Sequence, residues 1–388
     1  MSLTEKSVPN VALYVDDFLL YTHVWIYRQV SDPVTNVKTV LCHLRTEEIT
    51  FPFPRCVTID SHVKIKEYIK GRFWFLFKYL SPRLSKKSVA AFTQELEEQQ
   101  INLVHAHFGT NGVMIAPVCE RLNIPLVVTF HGFDISSAVF RWPAYKKKLN
   151  ELFHQITYAI AISEEMAERL LEIGCPKEKI RVSYLGVPLD DFPFIKRSAE
   201  KAPLVFLHAG RLTAKKGVSD LVKAFSQAFE TTEQAELWIA GDGEEKSQVE
   251  KMIRTCNATG KVKLLGRLSD EELRKIRNQA DVFIINCRTD AAGTKEGLPI
   301  SILEACATGM PVISTFHAGI PEAILQNHTG ILVPEFDQAA LALAMRKMLD
   351  PVHRTEMGVR ANEYMKEKFA LEECNKKLRL LYNEALIN

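Results

Sequence analysis

Cysteine pairs at C-x-x-C spacing, apolar runs of membrane length and a large excess of either charge are all missing from this chain. The eight cysteines are scattered, so neither a zinc site nor a dithiol redox motif is indicated, and reduced thiols in a cytoplasmic protein are the expectation. One of the densest apolar patches, Phe73-Trp74-Phe75-Leu76-Phe77, falls far short of the roughly 20 residues that a spanning helix needs. The opening Met1-Ser2-Leu3-Thr4-Glu5-Lys6 lacks the apolar core of a signal peptide. A net charge of +2 argues against nucleic acid as a partner, since a phosphate-binding surface unbalances the count much further. No repeat of solenoid period is present. What remains is an ordinary globular composition, 47% hydrophobic and 25% charged over 388 residues, enough for two or three domains each with its own core.

Taken in order, the chain alternates short apolar runs with amphipathic ones. Val11 to Val15 reads as a strand, Thr22 to Val30 as a helix and Val37 to Leu44 as a strand. From His62 to Phe92 the pattern is helical, aromatic and basic, with Lys64, Lys66, Lys70, Arg72, Lys78, Arg83, Lys86 and Lys87 against Glu67. Strands then follow at 103–105, 126–129 and 158–162, with helices at 112–122, 143–153 and 163–173 between and after them. The stretch from Val187 to Pro203, rich in Pro, Asp and Lys, reads as a linker. Beyond it a second alternation has strands at 204–208, 237–240, 262–265, 282–285, 312–313 and 331–333, then helices at 337–349, 353–368 and 371–386. Such alternation implies parallel sheets that bind ligands beyond the carboxyl ends of their strands.

The second half concentrates the chemistry in Glu296-Gly297-Leu298-Pro299, the apolar run Ile300 to Ala307, Gly309 and Pro311-Val312-Ile313. Gly297 allows close backbone approach, Pro299 suits the first turn of a helix, and Gly309 ends it. A helix mouth of this kind attracts anions. Two acids, Glu296 at the mouth and Glu304 roughly a turn and a half inside, make sense there when the ligand also carries hydroxyls, as a phosphorylated sugar does. Upstream, Gly210-Arg211-Leu212 leaves a strand and leads to Lys215-Lys216-Gly217; Arg by paired N–H groups and Lys as a point charge can clamp a diphosphate. Gly241-Asp242-Gly243 and Gly266-Arg267-Leu268 close the next two strands, where glycines let main chain approach a flat base.

Together E-x7-E, the G-x-P-V-I that follows it and G-R-L-x-x-x-K-G resemble the signature of the retaining glycosyltransferases of the glycogen-synthase-like group (family 4, group 1 type), and the likeness covers nearly the whole chain. It implies an α/β chain of the GT-B class, with two Rossmann-like doubly wound domains facing across a cleft. Residues 1–190, joined by a final crossing helix at 371–388, would bind acceptor, and 203–370 would bind donor. Carried over by position, Arg211 and Lys216 neutralise the leaving diphosphate while Lys215 stands by. Glu296 accepts hydrogen bonds from the donor sugar and Glu304 from the ribose, with Gly210, Gly241, Gly243, Arg267, Leu268, Gly297, Leu298 and Pro299 around them. His131-Gly132-Phe133-Asp134 resembles the family's catalytic loop: His131 touches the transferred sugar, and Asp134 orders the loop or binds acceptor. Gly109 and Asn111, in the polar turn after His105-Ala106-His107, lie near the acceptor. That histidine pair has no third ligand at metal-site spacing.

The resemblance implies no cofactor and no required metal. The co-substrate would be a UDP- or GDP-linked sugar, and the leaving phosphate would help deprotonate the acceptor at the front face. Many relatives carry Gly-Gly after the first strand, where this chain has Asp16-Asp17-Phe18-Leu19, so donor contacts from that loop are not implied. The next stretch, Thr22-His23-Val24-Trp25-Ile26-x-x-Gln29, is similar to the S-E-T-F-I-x-x-Q of relatives that build exopolysaccharides, and it adds Thr22 to the acceptor candidates. A saccharide or lipid-linked saccharide is the expected acceptor. The basic segment 64–87 is a candidate for peripheral contact with the inner face of a membrane. Two rival readings use the same residues: a nucleotide-sugar epimerase or hydrolase, and a non-catalytic nucleotide-sugar binder.

Overall fold

Runs in which every position is buried mark strands covered on both faces, the condition of parallel sheets flanked by helices. Leu103–His107 and Leu204–Ala209 are buried at each residue and form central strands of two separate sheets. The computed structural model describes residues 9–17, 24–44, 53–58, 79–80, 82–198, 203–229 and 235–387. It divides into two compact units, Met1–Gly186 with Leu371–Asn388, and Val187–Ala370.

Among the described residues the first unit holds seven parallel strands: β1 (Val11–Asp17), β2 (Val37–Leu44), β3 (Cys56–Thr58), β4 (Leu103–His107), β5 (Leu126–Thr129), β6 (Tyr158–Ala161) and β7 (Ile180–Val182). Their order is β3-β2-β1-β4-β5-β6-β7, which puts the reversal of winding between β1 and β4. Helices α1 (Val24–Ser31), α2 (Lys86–Glu98), α3 (Gly109–Leu122), α4 (Ser137–Arg141), α5 (Pro143–Gln155) and α6 (Glu164–Glu172) connect them. Ser163 caps α6 by accepting the Met166 N–H at 3.1 Å, as its sequence suggests. The helical stretch expected over 62–92 falls largely outside the described residues; within them, Tyr79 and Leu80 are helical and α2 starts at Lys86, with Ser85 as its cap. The edge strands β3 and β7 have no counterpart in the sequence reading: each is three residues long and only partly buried or exposed, too short for a period to show.

The second unit repeats the plan with β8 (Leu204–Ala209), β9 (Ala235–Ala240), β10 (Val262–Gly266), β11 (Val282–Ile284), β12 (Val312–Thr315) and β13 (Gly330–Val333), ordered β10-β9-β8-β11-β12-β13. The winding reverses between β8 and β11. Helices α7 (Val218–Ala228), α8 (Lys246–Thr255), α9 (Asp270–Gln279), α10 (Ile300–Ala307), α11 (Ile320–Ala323), α12 (Gln338–Lys347) and α13 (Pro351–Lys368) complete it. Phe206, Leu237 and Ile284 from the sheet pack with Leu221, Phe225 and Met345 from the helices in one core. The stretch read as a linker is fastened to this unit. Ile195 N–H donates to the Thr308 carbonyl at 3.1 Å, and Arg197 Nε to Ala280 O at 2.8 Å.

The last helix, α14 (Leu371–Ala385), belongs to the first unit, burying Leu378, Tyr382 and Ala385 against Val11, Leu103, Val127, Tyr158 and Ile160. Asn375 Nδ2 to Asp32 Oδ2 (2.8 Å) and Arg379 Nη1 to Val34 O (2.7 Å) fix its position.

Past their ends β8, β9 and β10 stay laced together. Gly210 N–H donates to Ala240 O at 3.0 Å, Leu212 N–H to Asp242 O at 2.9 Å and Gly241 N–H to Gly266 O at 2.8 Å. A Cβ on Gly241 would stand 1.9 Å from the Gly210 carbonyl oxygen, so the close approach that this glycine permits is to a neighbouring strand exit. Gly266 has a positive φ (68°) but open space around it. Gly241→Ala should therefore lower unfolding free energy by about 2 kcal/mol or more, and Gly266→Ala by about 1 kcal/mol. Urea unfolding of the two variants checks the order; equal losses would contradict it.

Candidate active site

At the β8/β11 reversal, the chain leaves β8 through Gly210 and the exposed Arg211, then makes a 3-10 turn over Ala214–Lys216. The residues after β11 hold that turn from outside. Arg288 N–H donates to Lys215 O and Arg288 Nε to Ala214 O, both at 2.9 Å, and Asn286 Nδ2 donates to Gly217 O at 3.1 Å. Arg288 is itself paired with Asp220 of α7. The turn thus presents two ammonium groups in one direction. Lys215 Nζ and Lys216 Nζ each lie 3.0 Å from Glu296 Oε1. Lys215, expected to stand by, is a full member of this cluster.

Burial alone would raise the Glu296 carboxyl, but the charges and hydrogen bonds of Lys216 and Lys215 outweigh it and hold it at about 2. Burial works against the Lys216 ammonium in turn; Cys287 and Glu296 outweigh it, and its pKa is raised. Lys216 Nζ also lies 3.9 Å from Cys287 Sγ, a thiol pushed up to about 12 by burial. On the backbone side, Glu296 N–H donates to His317 Nε2 at 3.1 Å.

Gly297, Leu298 and Pro299 are buried, and Gly297 O accepts the Gly319 N–H at 3.1 Å. Pro299 is the N-cap of α10 rather than a residue of its first turn. At the other end, Gly309 N–H to Cys306 O and Met310 N–H to Ala305 O close α10 as a Schellman motif. Glu304, inside α10, is buried and takes Arg277 Nη2 of α9 on its Oε2 at 2.7 Å. The Arg277 guanidinium also lies over the Phe192 ring, 4.9 Å from its centroid. Arg267 is exposed and Leu268 half-buried just past β10.

In the first unit the corresponding reversal gathers histidines. His105 of β4 is fully buried, bonded to Tyr382 Oη of α14 and Thr129 Oγ1 of β5, both at 2.7 Å; burial drives its pKa down to about 3, so it is neutral. His107 Nδ1 lies 3.0 Å from His131 Nε2, one nitrogen donating to the other, with the rings stacked at 5.2 Å. Trp25 (4.3 Å between centroids) and Phe108 (4.6 Å) border His131. Asp134 is buried beneath the loop. Its Oδ1 accepts from His131 and Gly132 N–H and its Oδ2 from Gly109 N–H, all at 3.0 Å. Burial raises this carboxyl, with those N–H bonds opposing it. Asn111 is buried and donates to His107 O (2.7 Å) and Asp16 Oδ1 (3.1 Å). Thr22 lies outside the described residues, and among those residues no cluster of three His, Cys, Asp or Glu is placed to hold a metal.

The sequence reading gave no site role to Arg277, His317, Glu335 or Tyr382, although the last shows at helical spacing in the final helix. No local pattern names their partners: each meets its partner 18 to 277 positions away in the chain, through sheet order or the returning helix.

Two parallel sheets, each reversing its winding where these side chains collect, are the architecture of a GT-B α/β protein. The solved structure of HepE from Anabaena in complex with UDP shares the fold, with a TM-score of 0.78 over 97% of this chain and 100% of that one at 16% identity. Residues 191–367 match the family described as Glycosyl transferases group 1, and residues 46–191 match Glycosyltransferase Family 4. A protein of Escherichia coli (strain K12) provisionally named as the colanic acid biosynthesis glycosyltransferase WcaL is 34% identical over 280 residues, 71% of this chain and 69% of that one. The amylovoran biosynthesis glycosyltransferase AmsK of Erwinia amylovora is 34% identical over 270 residues, 69% of this chain and 66% of that one. The chain belongs to the group 1 glycosyltransferases.

Because the Glu296 carboxyl titrates near 2 when folded and near its ordinary value of about 4.5 when unfolded, its ion pairs stabilise the fold above pH 5, an effect lost as pH falls toward 2. The wild type should lose up to about 3 kcal/mol more than Glu296→Gln over that window. Denaturant unfolding at stepped pH measures the difference; parallel curves would refute the cluster's charge state.

Proposed function

We propose that this protein transfers a hexose, with retention and without a metal, from a UDP- or GDP-linked sugar to a saccharide or lipid-linked saccharide in extracellular or envelope polysaccharide assembly. The observation that carries the reading is the group Lys215, Lys216 and Glu296 beside the start of α10 at the β8/β11 reversal. Cations at a strand exit suit a leaving diphosphate, and an ionised carboxylate suits sugar hydroxyls. The names of the E. coli and Erwinia relatives point to polysaccharide assembly, and the Anabaena protein of like fold is crystallised with UDP.

In this reading Arg211 and Lys216 take the diphosphate, with Lys215 now beside them. Glu296 holds the donor sugar, and Glu304, braced by Arg277, faces the ribose. Gly210, Gly241, Gly243, Arg267 and Leu268 frame the base; Gly297, Leu298 and Pro299 shape the helix mouth. His131 contacts the transferred sugar from a loop that Asp134 fastens to Gly109, with Asn111 and Thr22 toward the acceptor. As the acceptor oxygen bonds to the anomeric carbon, the bond from that carbon to the diphosphate oxygen breaks and the leaving phosphate takes the acceptor proton. The setting is the cytoplasmic face of a membrane, approached through 64–87; among the described residues no helix is long and apolar enough to cross it.

Thermal unfolding in the presence of UDP, GDP, UDP-glucose, UDP-galactose or GDP-mannose tests the donor half. One nucleotide series should raise the melting temperature by mass action, and Lys216→Ala should abolish the rise. With saccharide acceptors added, nucleotide release should accelerate and fall at least about 100-fold in His131→Ala. Rapid turnover without acceptor would favour an epimerase or hydrolase; binding with no turnover under any acceptor would favour a binder.

A further inference from the structure

Beyond the cluster itself, one pair of side chains grips both ends of the loop that carries Glu296. His317 lies two residues past β12 and Glu335 two residues past β13. Those strands are paired in register, Thr315 opposite Val333, and Phe316 N–H continues the ladder to Val333 O at 2.9 Å. The two side chains therefore meet beyond the sheet, His317 Nδ1 lying 2.6 Å from Glu335 Oε1. Glu335 Oε2 accepts the Thr289 N–H at 2.8 Å, and His317 Nε2 accepts the Glu296 N–H at 3.1 Å. An Nε2 that accepts from an amide carries no proton, so the proton is on Nδ1 and is donated to Glu335. Between the clasped ends, Asp290 turns the loop on itself, its Oδ1 accepting Thr294 N–H at 2.8 Å and Ala292 N–H at 2.9 Å. The His317 side chain is fully buried, so neither of its bonds is replaced cheaply by water.

We infer that the His317–Glu335 pair is a positioning device that fixes the 289–296 loop, so that the Glu296 carboxylate is held ready for the sugar half of the donor. This rests on the donor reading above. The pair touches neither lysine's side chain in the contacts described, so its loss should spare diphosphate binding and weaken the grip on the sugar. The device also has a direction in pH. A second proton on His317 turns Nε2 into a donor facing the Glu296 N–H, and that end of the clasp opens. Burial lowers the His317 pKa, opposed by the hydrogen bond and charge of Glu335 and by Glu296, with Lys295 adding to the lowering; Lys215 and Lys216 stand across the Glu296 carboxylate. The opening therefore belongs below the ordinary histidine range.

The test compares wild type, His317→Phe, His317→Gln and Glu335→Gln by amide hydrogen exchange without ligand, and by calorimetric titration with UDP, UDP-glucose, GDP and GDP-mannose. His317→Phe should speed exchange across 289–296 and weaken the nucleotide sugar about tenfold, the scale of one lost hydrogen bond, while the bare nucleotide stays within about twofold. His317→Gln, whose Oε1 can still accept from the Glu296 N–H, should recover part of the sugar affinity but lose the wild type's decline in that affinity at acid pH. Glu335→Gln should follow His317→Phe in direction. Unchanged exchange in His317→Phe and Glu335→Gln overturns the clasp. Faster exchange with equal loss for nucleotide and nucleotide sugar overturns its role in holding the sugar. A wild type that binds no nucleotide sugar refutes the donor reading in the parent protein, before any substitution, and takes the clasp's role with it.

Discussion

A carboxylate pressed into a largely dry site between two ammonium groups is the constraint around which the second unit is arranged. Neither sign of charge tolerates such burial alone, so the lysine turn after β8 and the loop before α10 must stay in register. Side chains bonded to main-chain groups secure that register from both sides: Arg288 and Asn286 hold the turn, while His317 and Glu335 hold the loop. All four residues lie just past strand ends, where a rigid sheet delivers loops to fixed positions. The segments that carry the site's charges are therefore held at their main chain by neighbouring side chains, which leaves Lys215, Lys216 and Glu296 engaged chiefly with one another.

The first unit solves a different problem. Its reversal point holds three histidines, and their environments separate them. His105 is enclosed and uncharged, tied to a hydroxyl on each ring nitrogen, and so is a structural strut. His107 and His131 share a hydrogen bond at the loop's edge, beside Trp25 and Phe108. Asp134 contributes by gathering three main-chain N–H groups, which sets the path of the His131 loop relative to the start of α3. A carboxylate used this way acts as a local template for backbone, comparable to a helix cap turned inward.

Much of this was legible in the chain because parallel sheets write themselves as apolar runs and because glycines, prolines and charges at strand ends mark loops. Strands β8, β9, β10 and β12, the glycine stop of α10 and the Lys216–Glu296 region could all be named from local pattern. What escaped was long-range or weakly patterned. Three-residue edge strands leave no periodicity, and Arg277 sits in a helix whose charge pattern reads as solvated surface. His317 and Glu335 find each other only through the pairing of β12 with β13. Position in the motif ranks Lys216 above Lys215; that both side chains reach one carboxylate oxygen is visible only in the fold.

The return of α14 to the first sheet has a consequence for how the protein comes into being. The residues that pack on β1, β4, β5 and β6 include Leu378, Tyr382 and Ala385, and these leave the ribosome only after the whole of Val187–Ala370 has been made. Until then the rest of the first unit has an uncovered apolar strip and a His105 lacking one of its two hydroxyl partners, while the second unit, continuous from Val187 to Ala370, already contains the residues of its own core. A nascent chain halted before residue 371 would thus carry all of the second unit and a first unit still awaiting the helix that covers one face of its sheet.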